Sequence, residues 1–272
     1  INYKCLHNLK MNNLRKIGIK NLKREYQRDY EFFIKEHFNQ EIEGSFSEAD
    51  ILKLQEFVDG LNTGLPRDYL IGNSEFYDYK FFVDEGVLIP RPETELIIEI
   101  FSSLPLQTPS KVIDLGTGSG CIGQTLAKQN PDHIFFGLEL STKALNTAKK
   151  NHDLHELKNF FLIQGDWLKC CNKASLDTVI ANPPYLEKND PHLADLSYEP
   201  EMALVADDCG LSNFKKIALQ ANSRLKKGGY LIFEHGFDQS KQVEKILSDN
   251  KFSILKKIQD YQGWDRLITA KK

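Results

Sequence analysis

The 272-residue chain has no Cys-x-x-Cys pair. Its five cysteines (Cys5, Cys121, Cys170, Cys171 and Cys209) form no disulfide framework and read as reduced thiols of an intracellular protein. The seven histidines show no metal-ligand spacing, so no metal is expected. His152 and His155 stand three apart on an expected helix, but without a further ligand cluster they read as a solvated face. No apolar run approaches the roughly 18 residues of a membrane helix. No hydrophobic stretch follows the early lysines, so no secretory signal is expected. Internal repeats and low-complexity segments are also absent. With 35 basic against 38 acidic residues, the net charge of −3 argues against a chain built to coat nucleic acid, though it leaves a local basic patch open. These absences imply a cytoplasmic protein with no membrane association and no stable nucleic-acid partner. A hydrophobic fraction of 41% is enough for a real core.

Acidic residues are missing from residues 1–24, which carry Lys4, Lys10, Arg15, Lys16, Lys20, Lys23 and Arg24. The run reads as a solvated helix, with a nucleic-acid arm or a transit peptide as alternatives. Its near lack of serine weakens the transit reading. Met11 is the first methionine and a candidate start. Tyr30, Phe33, Ile34 and Phe38 recur at helical spacing, as do Ile51, Leu54, Phe57, Val58 and Leu61. Ser47 to Asp50 has capping-box spacing with Asp in place of Glu. These segments define a helical module at 1–65, suited to substrate recognition. Residues 66–90 form a linker in which Phe76-Tyr77 and Phe81-Phe82-Val83 flank Asp78-Tyr79-Lys80, a β-hairpin pattern. The main domain covers 91–272. It opens at Arg91-Pro92-Glu93-Thr94-Glu95, where proline and acids suit a helix start.

From residue 111 strands and helices alternate. Strands are expected at 112–115, 134–138, 160–163, 176–181, 230–233, 252–258 and 266–270, and helices lie between most of them. That pattern predicts an α/β fold: a doubly wound, mainly parallel, seven-stranded Rossmann-like sheet.

Three motifs fall at strand ends, where open sheets bind ligands. Gly116-Thr117-Gly118-Ser119-Gly120 turns a strand into a helix and would let a nucleotide lie against the backbone. Glu139, 19 residues after Gly120, could accept hydrogen bonds from ribose hydroxyls. Asp166 could bind an adenine amino group, with Trp167 packing beside the ring. Asn182-Pro183-Pro184-Tyr185 is the third. Two prolines stiffen the turn, and the Asn182 side-chain oxygen and the Pro183 carbonyl could each accept one hydrogen of an NH2 group, with Tyr185 covering it. Gly118-x-Gly120-x-x-Gly123 also satisfies a dinucleotide fingerprint. A nicotinamide enzyme would not explain the Asn-Pro-Pro-Tyr turn, however, and no Tyr-x-x-x-Lys or His–Asp pair supports hydride chemistry.

Asp114-Leu-Gly-Thr-Gly-Ser-Gly120 followed by Asn182-Pro-Pro-Tyr185 resembles the class I S-adenosylmethionine-dependent methyltransferases. Several further motifs narrow the resemblance to the release-factor glutamine methyltransferases of the HemK type. They are Ile89-Pro-Arg-Pro-Glu-Thr-Glu95, Gly165-Asp-Trp167, Tyr198-Glu-Pro200, Gly210-Leu211, Glu234-x-Gly236-x-x-Gln239 and Asp260-x-x-Gly263-x-Asp265-Arg266. The resemblance runs from about Pro66 to the end. Two departures stand out: Glu139 replaces the more usual Asp, and His235 interrupts the Glu-x-Gly motif. The resemblance implies transfer of a methyl group from S-adenosylmethionine, leaving S-adenosylhomocysteine. The acceptor would be the amide nitrogen (N5) of the glutamine in the Gly-Gly-Gln motif of a class I peptide chain release factor. It also implies that Gly116–Gly120, Glu139 and Trp167 contact the cofactor, with Asn182 beside it, and that Asn182–Tyr185 contact the glutamine. Arg91, Glu93 and Thr94 would shape the substrate pocket, and Glu199 would order the loop after Tyr185 or form a surface salt bridge. A monomer is expected. The competing reading is a nucleic-acid amino-group methyltransferase acting on adenine N6 or guanine N2, and such an enzyme would need a basic, aromatic recognition surface.

Overall fold

The computed structural model describes residues 26–38 and 47–272; the basic run at 1–24 and Met11 lie outside the described residues. Two compact units divide between Gly72 and Asn73.

The first unit contains α1 (Gln27–Phe38), α2 (Glu48–Thr63) and α3 (Arg67–Ile71). Tyr30, Phe33 and Ile34 from α1 meet Leu54, Phe57, Val58 and Leu61 from α2 in one apolar cluster. The helical spacing puts each set on one face, and each buried side chain is worth roughly 1.5–3 kcal/mol. Phe33 stacks on Phe57 with ring centroids 4.0 Å apart. Helix α2 begins with a reciprocal cap: the Ser47 hydroxyl accepts from the Asp50 amide (3.3 Å), and the Asp50 carboxylate accepts from the Ser47 amide (2.9 Å). It ends at Gly64, whose φ of 90° suits glycine best. Helix α3, which falls in the expected linker, buries Ile71 in this same cluster.

The second unit opens with the hairpin β1 (Asn73–Phe76) and β2 (Tyr79–Phe82). Its turn is Tyr77-Asp78, one residue earlier than the alternation predicts. Both turn residues have positive φ (49° and 64°), as a two-residue turn between twisted strands requires. Phe76 and Phe81 are buried in the larger unit's core. A 3-10 turn at Pro92–Glu95 leads into α4 (Leu96–Ser102). The alternating part follows: β3 (Lys111–Leu115), α5 (Cys121–Gln129), β4 (Ile134–Glu139), α6 (Thr142–His155), β5 (Phe160–Gln164), β6 (Leu176–Ala181), α7 (Glu201–Leu204), α8 (Ser212–Arg224), β7 (Leu225–Glu234), α9 (Ser240–Asp249), β8 (Ser253–Gln259) and β9 (Asp265–Lys271).

These seven strands form one sheet in the order β5-β4-β3-β6-β7-β9-β8, in which β9 runs opposite to the other six. This is the doubly wound, mainly parallel sheet that the alternation predicts. Helices cover both faces. Ile113 and Leu115 enter the cluster beside α8 and α9, while Val112 enters the one beside α4 and α5, as strand alternation demands. Strand β7 begins at Leu225, five residues before the expected Tyr230. Gly228, with φ 81°, lets the chain pass a register shift against β6 at Leu176–Thr178 and remain in the sheet. His155 is not on a solvated face. It packs edge-on against Phe81 at 4.8 Å, and burial lowers its pKa.

Candidate active site

Sheet register gathers the motifs at one edge. Leu115 pairs with Leu138 on one side and Ala181 on the other, and Ala181 pairs with Phe233. The next residue of each strand is therefore brought alongside its neighbours: Gly116, Glu139, Asn182 and Glu234. Strand β3 sits where the winding turns to either side, the position at which open α/β sheets bind ligands. A cavity of about 420 Å³ opens there, lined among others by Gly116, Gly118, Glu139, Asp166, Trp167, Asn182 and Pro184. That volume lies in the range of small-molecule sites.

The glycine loop is held from beneath. The Asp114 carboxylate accepts from the Thr117 hydroxyl (2.5 Å) and from the Gly123 amide (3.1 Å). Burial pushes Asp114 up to about 6, although these bonds pull it back part of the way. Thr117 and Ser119 are buried, and Gly120 caps α5 with φ 86°. A Cβ on Gly120 would stand 2.2 Å from the Gln124 amide nitrogen. These three residues shape the loop and do not line the cavity.

Glu139 is 8% exposed, and its partners are all main chain. One oxygen accepts from the amides of Leu140 (2.8 Å) and Ser141 (2.9 Å), and the other accepts from Gly118 (3.0 Å). The amide that a pyrophosphate would use is therefore already taken, and by an anion. This disfavours the dinucleotide fingerprint at Gly118–Gly123. A nucleoside with no phosphate and a positive centre fits better: the cavity has a second acid, Asp166, at its wall, an aromatic ring at Trp167, and open acceptor positions on Glu139. The donor set thus suits S-adenosylmethionine. Trp167 adopts φ 47°, and its ring lies 3.6 Å from where a Gly116 Cβ would be. Asp166 is paired with Lys169.

On the other side stands the Asn-Pro-Pro-Tyr turn. The Pro184 carbonyl accepts from the Asn213 amide group (3.1 Å), and the Tyr185 carbonyl accepts from the Gln239 amide group (3.0 Å). Among the described residues, no donor reaches the Pro183 carbonyl or the Asn182 side-chain oxygen. Asn182 Nδ2 donates to Thr94 Oγ1 at 3.3 Å. Tyr185 is largely buried, which raises its phenol pKa. Arg91 and Thr94 lie outside the cavity wall. Arg91 pairs with Glu199, whose other oxygen accepts from the Ile89 amide at 3.0 Å. Glu199 is 7% exposed, so this is an internal latch and not a surface salt bridge.

Sequence reasoning assigned no role to Glu234, Gln239 or Asn213. The first two stood in quoted motifs, and Asn213 gave no signal. Burial pushes the Glu234 carboxyl up to about 7, while Thr94, the Arg266 charge and Asn182 pull it back part of the way. One of its oxygens has no partner.

A family model described as a methyltransferase domain matches residues 107–271. The release factor glutamine methyltransferase of Neisseria gonorrhoeae is 41% identical over 214 residues, covering 76% of this chain and 77% of that protein. The protein of the same name from Coxiella burnetii is 34% identical over 220 residues, covering 80% and 79%. Among solved structures, a methyltransferase from Pyrococcus furiosus matches with a TM-score of 0.57 at 15% identity. It covers 79% of this chain and 98% of that one, a likeness of fold.

Proposed function

The chain belongs to the release factor glutamine methyltransferases, and from that premise we propose that it methylates the side-chain amide nitrogen of the glutamine in the Gly-Gly-Gln motif of a class I peptide chain release factor. S-adenosylmethionine, when bound, supplies an electrophilic methyl group on a positively charged sulfur. Gly116, Gly118, Glu139, Asp166 and Trp167 would hold it in the cavity.

The observation that carries the reading is the pair of unfilled acceptors on a stiff turn. Asn182 Oδ1 and the Pro183 carbonyl each take one hydrogen of the glutamine NH2, and the Tyr185 ring covers the group. An amide nitrogen is a poor nucleophile because its lone pair is delocalised into the carbonyl. Holding both hydrogens fixes the nitrogen and favours a pyramidal shape, and positioning of this kind supplies much of the rate. The nitrogen gains the methyl carbon as the carbon–sulfur bond breaks, and the methylated amide sheds one proton to water. Because the cofactor would bring its positive charge already on sulfur, the neutral acceptors at Asn182 and Pro183 suit the transfer better than a catalytic carboxylate would. Pro184, Arg91 and Thr94 support the acceptor side from outside the cavity or at its rim.

The helical unit, residues 1–65 in the sequence reading, is the proposed recognition module for the release factor. The same reading gives a cytoplasmic monomer. No helix among the described residues is long and apolar enough to cross a membrane.

The test is transfer of labelled methyl groups to a purified class I release factor and to the same factor with Gln→Ala in its Gly-Gly-Gln motif. Label on the first and not the second supports both substrate and site. Label on DNA or RNA instead would establish the nucleic-acid reading.

A further inference from the structure

We infer that Glu234, acting through Thr94, decides which end of the Asn182 carboxamide faces the acceptor, and so is a positioning residue for methyl transfer. The inference rests on Asn182 being the acceptor for the substrate amide.

An Asn side chain has a donor end and an acceptor end of nearly equal size. The proposed reaction needs the oxygen outward. Nothing in the shape of the group enforces this, so its partners must. Sheet register sets Glu234 beside Asn182, because Ala181 pairs with Phe233. Glu234 and Thr94 are 2% and 3% exposed, so neither exchanges its partners for water. Hydrogen bonding from Thr94, and to a lesser degree from Asn182, offsets part of the burial that pushes the Glu234 carboxyl up. A carboxylate can only accept. It therefore takes the Thr94 hydroxyl hydrogen and leaves the Thr94 lone pairs facing Asn182. Asn182 Nδ2 donates to Thr94 Oγ1 at 3.3 Å. The order carboxylate, hydroxyl, amide nitrogen is thus directional, and it ends with Oδ1 turned away from the group. Once Glu234 gains a proton it can donate to Thr94. The hydroxyl hydrogen is then released toward Asn182, the amide can turn over, and NH2 would face NH2.

The carboxylate is kept at a cost, since one of its oxygens is buried without a partner. Several groups face it: Arg266 from β9, Glu93 from the turn before α4, Tyr185 after β6, and Cys121 at the start of α5. Arg266 is itself tied to Asp260 at 2.9 Å. The raised position of Glu234, about 7, puts the change of direction within reach of an ordinary pH profile.

The experiment is steady-state methyl transfer to the release factor by the wild type, Glu234→Gln, Thr94→Val and Thr94→Ser, between about pH 6 and about pH 9. Wild-type turnover should climb through about pH 7 and level off. Glu234→Gln and Thr94→Val should lower kcat on the order of tenfold or more, the scale of one misdirected hydrogen bond, and should lose the climb. KM for S-adenosylmethionine should stay within about twofold in both, since neither residue lines the cavity. Thr94→Ser should recover most of what Thr94→Val loses. If Glu234→Gln does not fold, the Thr94 pair carries the same test. Wild-type kcat and pH profile in both Glu234→Gln and Thr94→Val would overturn the inference and leave the substrate reading standing. So would a fall in kcat matched by an equal loss of cofactor affinity. A wild-type enzyme that does not label the release factor would overturn the substrate reading, and this inference with it.

Discussion

Two carboxylates end strands β4 and β7 of the same sheet, and they are held in opposite ways. Glu139, on the cofactor side, has three main-chain amides on its two oxygens. Glu234, on the acceptor side, leans on side chains from separate segments and leaves one oxygen bare. The first arrangement comes with the backbone: once the glycine loop and the start of α6 form, the amides are in place. The second exists only when Thr94, Asn182 and Arg266 have all arrived. Main-chain construction gives a rigid cradle that tolerates local change. Side-chain construction gives a group whose direction can be set, at some cost in stability.

The contrast can be broken most forcefully at Asn182. Asn182→Ala removes a neutral acceptor that matters in the transition state, and turnover should fall about a hundredfold to a thousandfold, the range for loss of one such group. Cofactor affinity measured by calorimetry should stay within a few-fold. A parallel loss of both would mean that the two sides are one construction. Glu139→Ala should do the reverse. Losing hydrogen bonds to a charged group costs about 1.5–3 kcal/mol, so S-adenosylmethionine should bind roughly tenfold to a hundredfold more weakly, with kcat at saturation little changed. Unchanged binding would remove the ribose role from Glu139.

A smaller effect concerns pH and stability. Glu234 is raised from 4.5 to about 7 and Asp114 from 3.8 to about 6. A buried carboxyl with a raised pKa keeps its proton in the folded state after the unfolded chain has released it. Its stabilisation is therefore complete below the unfolded values and is lost as pH rises through about 6 and about 7. In urea titrations, wild type should lose stability between about pH 4 and about pH 7, by a few kcal/mol at about 1.4 kcal/mol per unit. Glu234→Gln should flatten the upper part of that slope. An identical slope in the variant would mean that the carboxylate is not buried as described. The smallest effect lies outside the catalytic unit. Ser47→Ala removes the α2 cap and should cost about 1 kcal/mol, seen as faster hydrogen exchange in α2 with cofactor affinity unchanged.

The same contrast explains what could be read from the sequence. Strand and helix alternation predicts the seven-stranded sheet because buried parallel strands carry dense apolar runs. Glycines announce the loop before α5, and an acid at a strand end stands out at Glu139. Both are local signals. The Tyr77-Asp78 turn is offset by one residue because Tyr77, unlike Asp78, is not a usual positive-φ type. Strand β7 was begun late because Gly228-Gly229 looks like a breaker, whereas the register shift absorbs it. The partners of Asn182 were out of reach for a different reason. Thr94 is 88 positions away along the chain, and nothing near either residue marks the other. Glu199 hides in the same way. Its exposure and its two partners depend on Ile89 and Arg91, over a hundred residues upstream.

The Asn-Pro-Pro-Tyr turn leaves two acceptors open while the carbonyls of Pro184 and Tyr185 are filled by Asn213 and Gln239. On the proposed reading, such a turn counts hydrogens. A glutamine side chain arrives with two and satisfies both acceptors. After one methyl transfer it has a single hydrogen left, and one acceptor goes wanting. The modified side chain is then the poorer occupant of its own site, so the turn that recognises the substrate also dismisses the product, and stops at one methyl.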